Sequence, residues 1–185
     1  MKCFRLAILL LVLVFGVASL ITPRSTAGAS RAEIDRSVKR ALENLYAKTP
    51  AGKVLGEKAQ GILVFPSITK GGFMVGGQFG EGALIQGGKT AGYYNTLQVS
   101  YGLQAGLQKF GYALFFMSGA ALKWLDKSDG WEIGTGPSIV VVDVGMAKSM
   151  STTTLQSDIY AFFFDQKGLM GGLGLQGTKI SRVKK

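Results

Sequence analysis

The chain has 185 residues, 21 lysines and arginines against 11 aspartates and glutamates, a formal net charge of +10, no histidine and one cysteine. Histidine catalysis and the usual nitrogen–sulfur zinc sites are excluded, and one cysteine leaves no intrachain disulfide to staple the core. A basic balance without a nucleic-acid motif fits anionic lipid or polyanion surfaces, or simple solubility with an unstructured basic end.

Lys2 and Arg5 open the chain, residues 6–21 are apolar or small without a charge, and Ala27-Gly28-Ala29 supplies an A-x-A site. This pattern predicts a signal peptide over residues 1–29, cut after Ala27 or Ala29. The rival is an uncleaved anchor, because the apolar run approaches spanning length. Cleavage removes Cys3, and with it thiol catalysis. Lys2, Arg5 and Arg24 leave too, which lowers the charge to +7. Residues 30–185 then form one exported domain, periplasmic or secreted and peripheral to a membrane. That length buries a core without staples.

Residues 30–48 read as a helix. Ser30 caps it, Glu33 completes a capping box, and Ile34, Val38, Ala41, Leu42 and Leu45 recur at helical spacing. Arg31, Arg36, Lys39 and Arg40 lie off that stripe, diluted by Glu33, Asp35 and Glu43. Such a helix docks its stripe on a sheet, or lies in a bilayer interface. A second short helix is expected over residues 51–60, stopped by Gly61.

Residues 61–90 organise the rest. An apolar run, residues 62–65, stops at Pro66; from Gly71-Gly72 the pattern alternates, with Phe73, Val75, Phe79, Ala83 and Ile85 on one parity. Period two means a half-buried strand, and the glycines mark bends, bulges or close approach. Gly87-Gly88 is a turn. Residues 83–90 fit a loose phosphate-loop pattern, but strand follows where the mechanism needs a helix.

Residues 97–108 are the strongest strand signal. Leu97, Val99, Tyr101, Leu103, Ala105 and Leu107 alternate with Gln98, Ser100, Gly102, Gln104, Gly106 and Gln108. The apolar set is expected to be buried and the Gln-rich set to face water.

Residues 111–117 read as a buried strand or the start of a helix, and residues 118–125 as a short helix. Asp126, Asp129 and Glu132 flank a turn; Gly130 stands where a calcium loop needs an oxygen, so the turn is solvated. Residues 139–144 read as a fully buried strand in which Asp143 needs a partner. Residues 146–156 are a Ser/Thr-rich loop, 159–164 a strand with three phenylalanines, 166–168 a turn, and 169–180 a closing Gly-rich strand pair. Lys179, Arg182, Lys184 and Lys185 form a frayed basic tail.

Glu81 lies on the apolar parity of its strand. With Asp143 it could form an acid–base pair; a bulge at Gly80 or Gly82 that turns it outward is the preferred reading.

Residues 61–82, Gly136-Pro137 and the closing residues 167–180 (KGLMGGLGLQGTKI) resemble the SYLF domain, also called the Ysc84 actin-binding or Las17-binding family. The likeness runs from about Val38 to Arg182. The chain departs from the family at Phe162-Phe163-Phe164, where a Ser/Tyr alternation is usual. The resemblance implies a lipid-binding module: eukaryotic members bind phosphoinositide membranes with help from an amphipathic helix at the start of the domain, yeast relatives bind actin filaments, and bacterial exported members are stand-alone versions.

The combined expectation is a mainly β, α+β fold: a curved or closed antiparallel Gly-rich sheet with one or two N-terminal helices and a short mid-chain helix. The function expected is non-enzymatic binding to anionic lipid or a membrane surface of the bacterial envelope through Arg31, Arg36, Lys39 and Arg40. No cofactor, metal or nucleic acid is expected. The alternative is a structural envelope protein that associates with a protein partner through its Gly-rich sheet.

Overall fold

The computed structural model describes residues 28–142, 156–168 and 174–185, except the side chains at 73, 74, 101–105 and 168. Two helices lead, α1 (Arg31–Lys48) and α2 (Pro50–Lys58). Two very long strands follow, β1 (Gly61–Gln86) and β2 (Lys89–Phe116). Then come α3 (Gly119–Leu122), a 3-10 turn (Lys123–Asp126), β3 (Trp131–Glu132), β4 (Ile139–Val141), β5 (Ile159–Gly168) and β6 (Lys179–Val183).

The fold is mainly β, as expected, with helices at its start and a short one mid-chain. Strand β2 is the spine. It pairs antiparallel with β1 along one edge; along the other it pairs with β5 through Phe116↔Ile159 to Gln108↔Gly168 and with β6 through Tyr93↔Val183 to Leu97↔Lys179. The sheet order is β3-β6-β2-β5-β4, with β1 on β2.

Gly87 and Gly88 close the β1–β2 hairpin at φ of 54° and 76°, a backbone region that residues without Cβ occupy freely. The phosphate-loop pattern is therefore a hairpin turn, since β2 begins at Lys89. Register shifts at Phe65/Ile68 and Phe73/Val75 bend β1 so far that it meets itself. A Cβ at Gly80 would lie 2.7 Å from Ile68 Cγ1, and one at Gly82 would overlap the Val64 carbonyl. These two glycines are the close-approach points of a curled sheet.

The sheet has a core on each face. The outer one holds the α1 stripe, Ile34, Val38, Ala41 and Leu45, against Val64, Ala83, Phe115 and Phe162. The inner one holds Leu63, Phe65, Leu84, Tyr94, Tyr112, Trp131 and Ile180. Burying a large apolar side chain contributes about 1.5–3 kcal/mol, so these clusters dominate the stability. Phe162 and Phe163 serve opposite faces, the outer and inner clusters respectively. Covered faces on both sides explain why residues 159–164 are apolar without alternation.

Several expectations are corrected. Leu97, Val99 and Leu107 are half exposed or more, at 50%, 58% and 61%. On the other parity, Gln78, Thr96 and Gln108 are buried. The side chains of Tyr101 and Leu103 lie outside the described set. The alternation is real and the face assignment was inverted. Residues 175–180 pack over the inner face and bring polar groups of their own: Gln78 Nε2 donates to Thr178 Oγ1 at 3.3 Å, and Gln98 Nε2 to the Gln176 carbonyl at 2.7 Å. A satisfied polar group costs little to bury.

Strand β4 is no central strand. It pairs parallel with β5 at the sheet edge, and Val141 is 46% exposed. Residues 166–168 continue β5 rather than turn, because they extend its pairing with Lys109 and Gln108. The tail is not frayed: Lys179 and Arg182 sit in β6, and Lys185 is bound at Glu81. Asp143, the loop at 146–155 and residues 169–173 lie outside the described residues.

Candidate functional site: a basic helix beside an apolar sheet face

Helix α1 starts as its sequence dictates. The Ser30 backbone N–H and hydroxyl both donate to Glu33 Oε2, at 2.8 and 2.7 Å, and the Glu33 N–H returns to Ser30 Oγ at 3.4 Å. Hydrogen bonds from the Ser30 side chain, then from its backbone, hold the Glu33 carboxyl below its ordinary range. Such a box satisfies donors that the first helical turn leaves open.

The buried stripe leaves the rest of α1 to solvent. Arg31, Arg36, Lys39 and Arg40 are all exposed. Helical geometry puts Arg36, Lys39 and Arg40 together on the side away from the sheet, with Glu43 among them. Arg31 stands apart on the flank, its guanidinium 6.0 Å from the Tyr93 ring centroid. Beside it, Asp35 accepts from Thr90 Oγ1 at 2.9 Å and from the Tyr93 hydroxyl at 3.0 Å. Desolvation against the helix, and then the Asp35 carboxylate, push the Tyr93 hydroxyl up. Two of the three acids on α1 are thus engaged in local contacts.

On its other flank α1 overhangs β1 and leaves an open cleft of about 440 Å³, lined by Ser37, Arg40, Asn44, Thr69, Phe79 and Glu81 among others. Glu81 sits at its end, half-buried. It accepts from the Ala29 N–H at 2.8 Å and from Lys185 Nζ at 2.5 Å, and the same ammonium donates to the Ala29 carbonyl at 2.7 Å. No register shift occurs at Gly80 or Gly82, so the expected outward bulge is corrected. The parity is kept, and a lysine neutralises the carboxylate. The clasp ties the start of α1 and the last residue to the sheet.

Beyond the cleft the outer face is apolar and uncovered: Val75, Phe79, Leu97 and Val99 are each at least half exposed. Sequence reasoning missed this surface because it placed the same residues inside. The only available hint was the Gln-rich opposite parity, which carries no charge and can be buried once paired.

The remaining candidates do not converge. Asp126 lies 3.7 Å from Arg182, and Glu132 of β3 pairs directly with Lys179 of β6. Among the described residues no group of three or more His, Cys, Asp or Glu side chains could hold a metal ion. Among the described residues, too, no helix is long and apolar enough to cross a membrane.

A comparison with curated proteins gives no match. Residues 97–185 match the model of the Ysc84 family, described as Las17-binding protein actin regulator. The matched stretch runs from Leu97 in β2 to the last residue and takes in Gly136-Pro137 and the closing glycine motif; the opening glycine motif of β1 lies ahead of it. This match supports assigning the chain to the Ysc84 (SYLF) domain family, a family of binding domains.

Proposed function

We propose that this protein is a non-enzymatic module that adsorbs to an anionic membrane surface in the bacterial envelope, where the leader over residues 1–29 would deliver it. The observation that carries the reading is α1 itself. Its apolar stripe is spent on the sheet while Arg36, Lys39 and Arg40 share the outward face and Arg31 flanks it. The helix therefore serves as a charged pad rather than an inserting wedge. Each cation held near an anionic surface contributes about 1 kcal/mol, screened by salt over a Debye length of about 8 Å at physiological ionic strength.

Vesicle sedimentation tests this reading. Arg36→Gln, Lys39→Gln and Arg40→Gln together are expected to reduce binding to anionic vesicles sharply at low salt and to leave Tm nearly unchanged, because no core contact is lost. Unchanged binding would remove α1 from the contact. Protein–protein association through the Gly-rich sheet is the second reading; self-association through the uncovered apolar strip is one outcome of the test below.

A further inference from the structure

Five of the seven large apolar side chains that stand exposed among the described residues share one sheet face: Val75, Phe79, Leu97, Val99 and Leu107. Soluble surfaces scatter such residues singly, and a contiguous patch marks an interaction site. The paired stretches that carry them, residues 71–80 of β1 and 96–107 of β2, contain no charged residue.

Cations frame this strip. At its far end Lys109 stands two residues past Leu107 on the same face, directly across from Lys167 of β5, and both are exposed. Like charges opposite each other across strands repel, so an anionic partner surface relieves this end. At its near end the strip reaches the cleft under α1, where Phe79 and Arg40 line the wall; the acids there are engaged, Glu33 by Ser30, Glu81 by Lys185 and Asp165 by Lys48. Apolar side chains bordered by cations at both ends match the acyl region of a bilayer and its anionic headgroups.

We propose that this face of the β1–β2 ribbon dips into the headgroup–acyl boundary of an anionic bilayer, with Lys109, Lys167 and the basic side of α1 at headgroup level. The proposal rests on the membrane-surface reading and adds the inserting element. Its depth is shallow. Among the described residues, 71–78 and 98–107 pair only with each other, so the ribbon keeps backbone edges that hydrocarbon does not tolerate. Its inner face also carries Gln78 and Gln98, held by the C-terminal segment. The ribbon lies flat on the membrane and does not cross it.

The test uses protein recovered from its host that carries Val99→Trp, mixed with anionic phosphatidylglycerol vesicles whose acyl chains are brominated. The native indoles, Trp131 buried and Trp124 stacked under Lys127 away from this face, set a constant baseline that the parent protein measures. The introduced indole is expected to shift to the blue and be quenched. A Val75→Ser/Val99→Ser variant, shown folded by circular dichroism, is expected to keep low-salt adsorption. At about 0.5 M salt it should lose affinity by about tenfold per side chain. An unquenched indole on vesicles that still bind would overturn the insertion and leave adsorption by α1 standing. A blue shift that grows with protein concentration without lipid, together with a sedimenting dimer, would overturn it in favour of a second copy. No binding to anionic vesicles at all would overturn both readings.

Discussion

Gln78 on β1 donates to the Thr178 hydroxyl at 3.3 Å across one hundred residues of chain, and both side chains are buried. This contact belongs to the layer that lets a polar strand face turn inward. Gln78→Ala is expected to cost about 1–3 kcal/mol, because it leaves the Thr178 hydroxyl buried without a partner. Val99→Asp, on the opposite face, is expected to stay within about 0.5 kcal/mol of the parent. Urea denaturation of the two variants checks which face is inside; the reverse order would invert it again.

The Tyr112 hydroxyl shares a 2.8 Å hydrogen bond with Thr96 Oγ1 at a site closed to solvent. Burial pushes its pKa up, and the Thr96 bond opposes this only in part. A raised folded-state value means that the native protein holds this proton when the unfolded chain has lost it. Stability is therefore complete below the unfolded tyrosine value of about 10 and falls as pH rises above it. Tyr46, Tyr93 and Tyr94 shift in the same direction. Tyr112→Phe should cost about 1 kcal/mol at neutral pH and flatten the alkaline limb, read as Tm against pH.

The Glu81–Lys185 pair is mostly buried, with side chains 18% and 16% exposed. Glu81→Ala leaves the Lys185 ammonium and the Ala29 N–H short of an acceptor, at an expected cost of about 1–3 kcal/mol. Adding Lys185→Met should recover part of the loss, since the stranded charge goes with it. Hydrogen exchange in the first turn of α1 should quicken in the single variant. A double variant as unstable as the sum of the two singles would mean that the clasp is not coupled.

Gly82 and Gly77 lie five residues apart on β1 and differ in what their Cβ would meet. Gly82→Ala drives a methyl into the Val64 carbonyl, whereas a methyl at Gly77 meets only the Gln98 carbonyl at 3.6 Å. The first should cost about 1–3 kcal/mol or more as overpacking; the second should be neutral or stabilise by a few tenths, as a less flexible unfolded chain does. Thermal melts of the two alanine variants separate these outcomes.

The features that the sequence determined alone are those written locally. The Ser30–Glu33 box, the α1 stripe and the Gly87-Gly88 turn depend on residues within a few positions of one another, and all three appear where the pattern puts them. The strand at 97–108 was equally legible, because strict alternation leaves no other period. Which of its faces lies inside was not. Period two states only that the faces differ. The choice was made by residues 175–180, far along the chain, whose polar groups make burial of Gln78 inexpensive and hold Gln98 on the same face. The edge position of Ile139–Val141 was decided the same way: a run of β-branched residues reads alike in the centre of a sheet and at its margin, and only pairing with β5 on one side distinguishes them. The basic residues of α1 were visible from the first reading. Tertiary packing decided that its apolar stripe is occupied, and that the free apolar surface lies instead on the ribbon beside it.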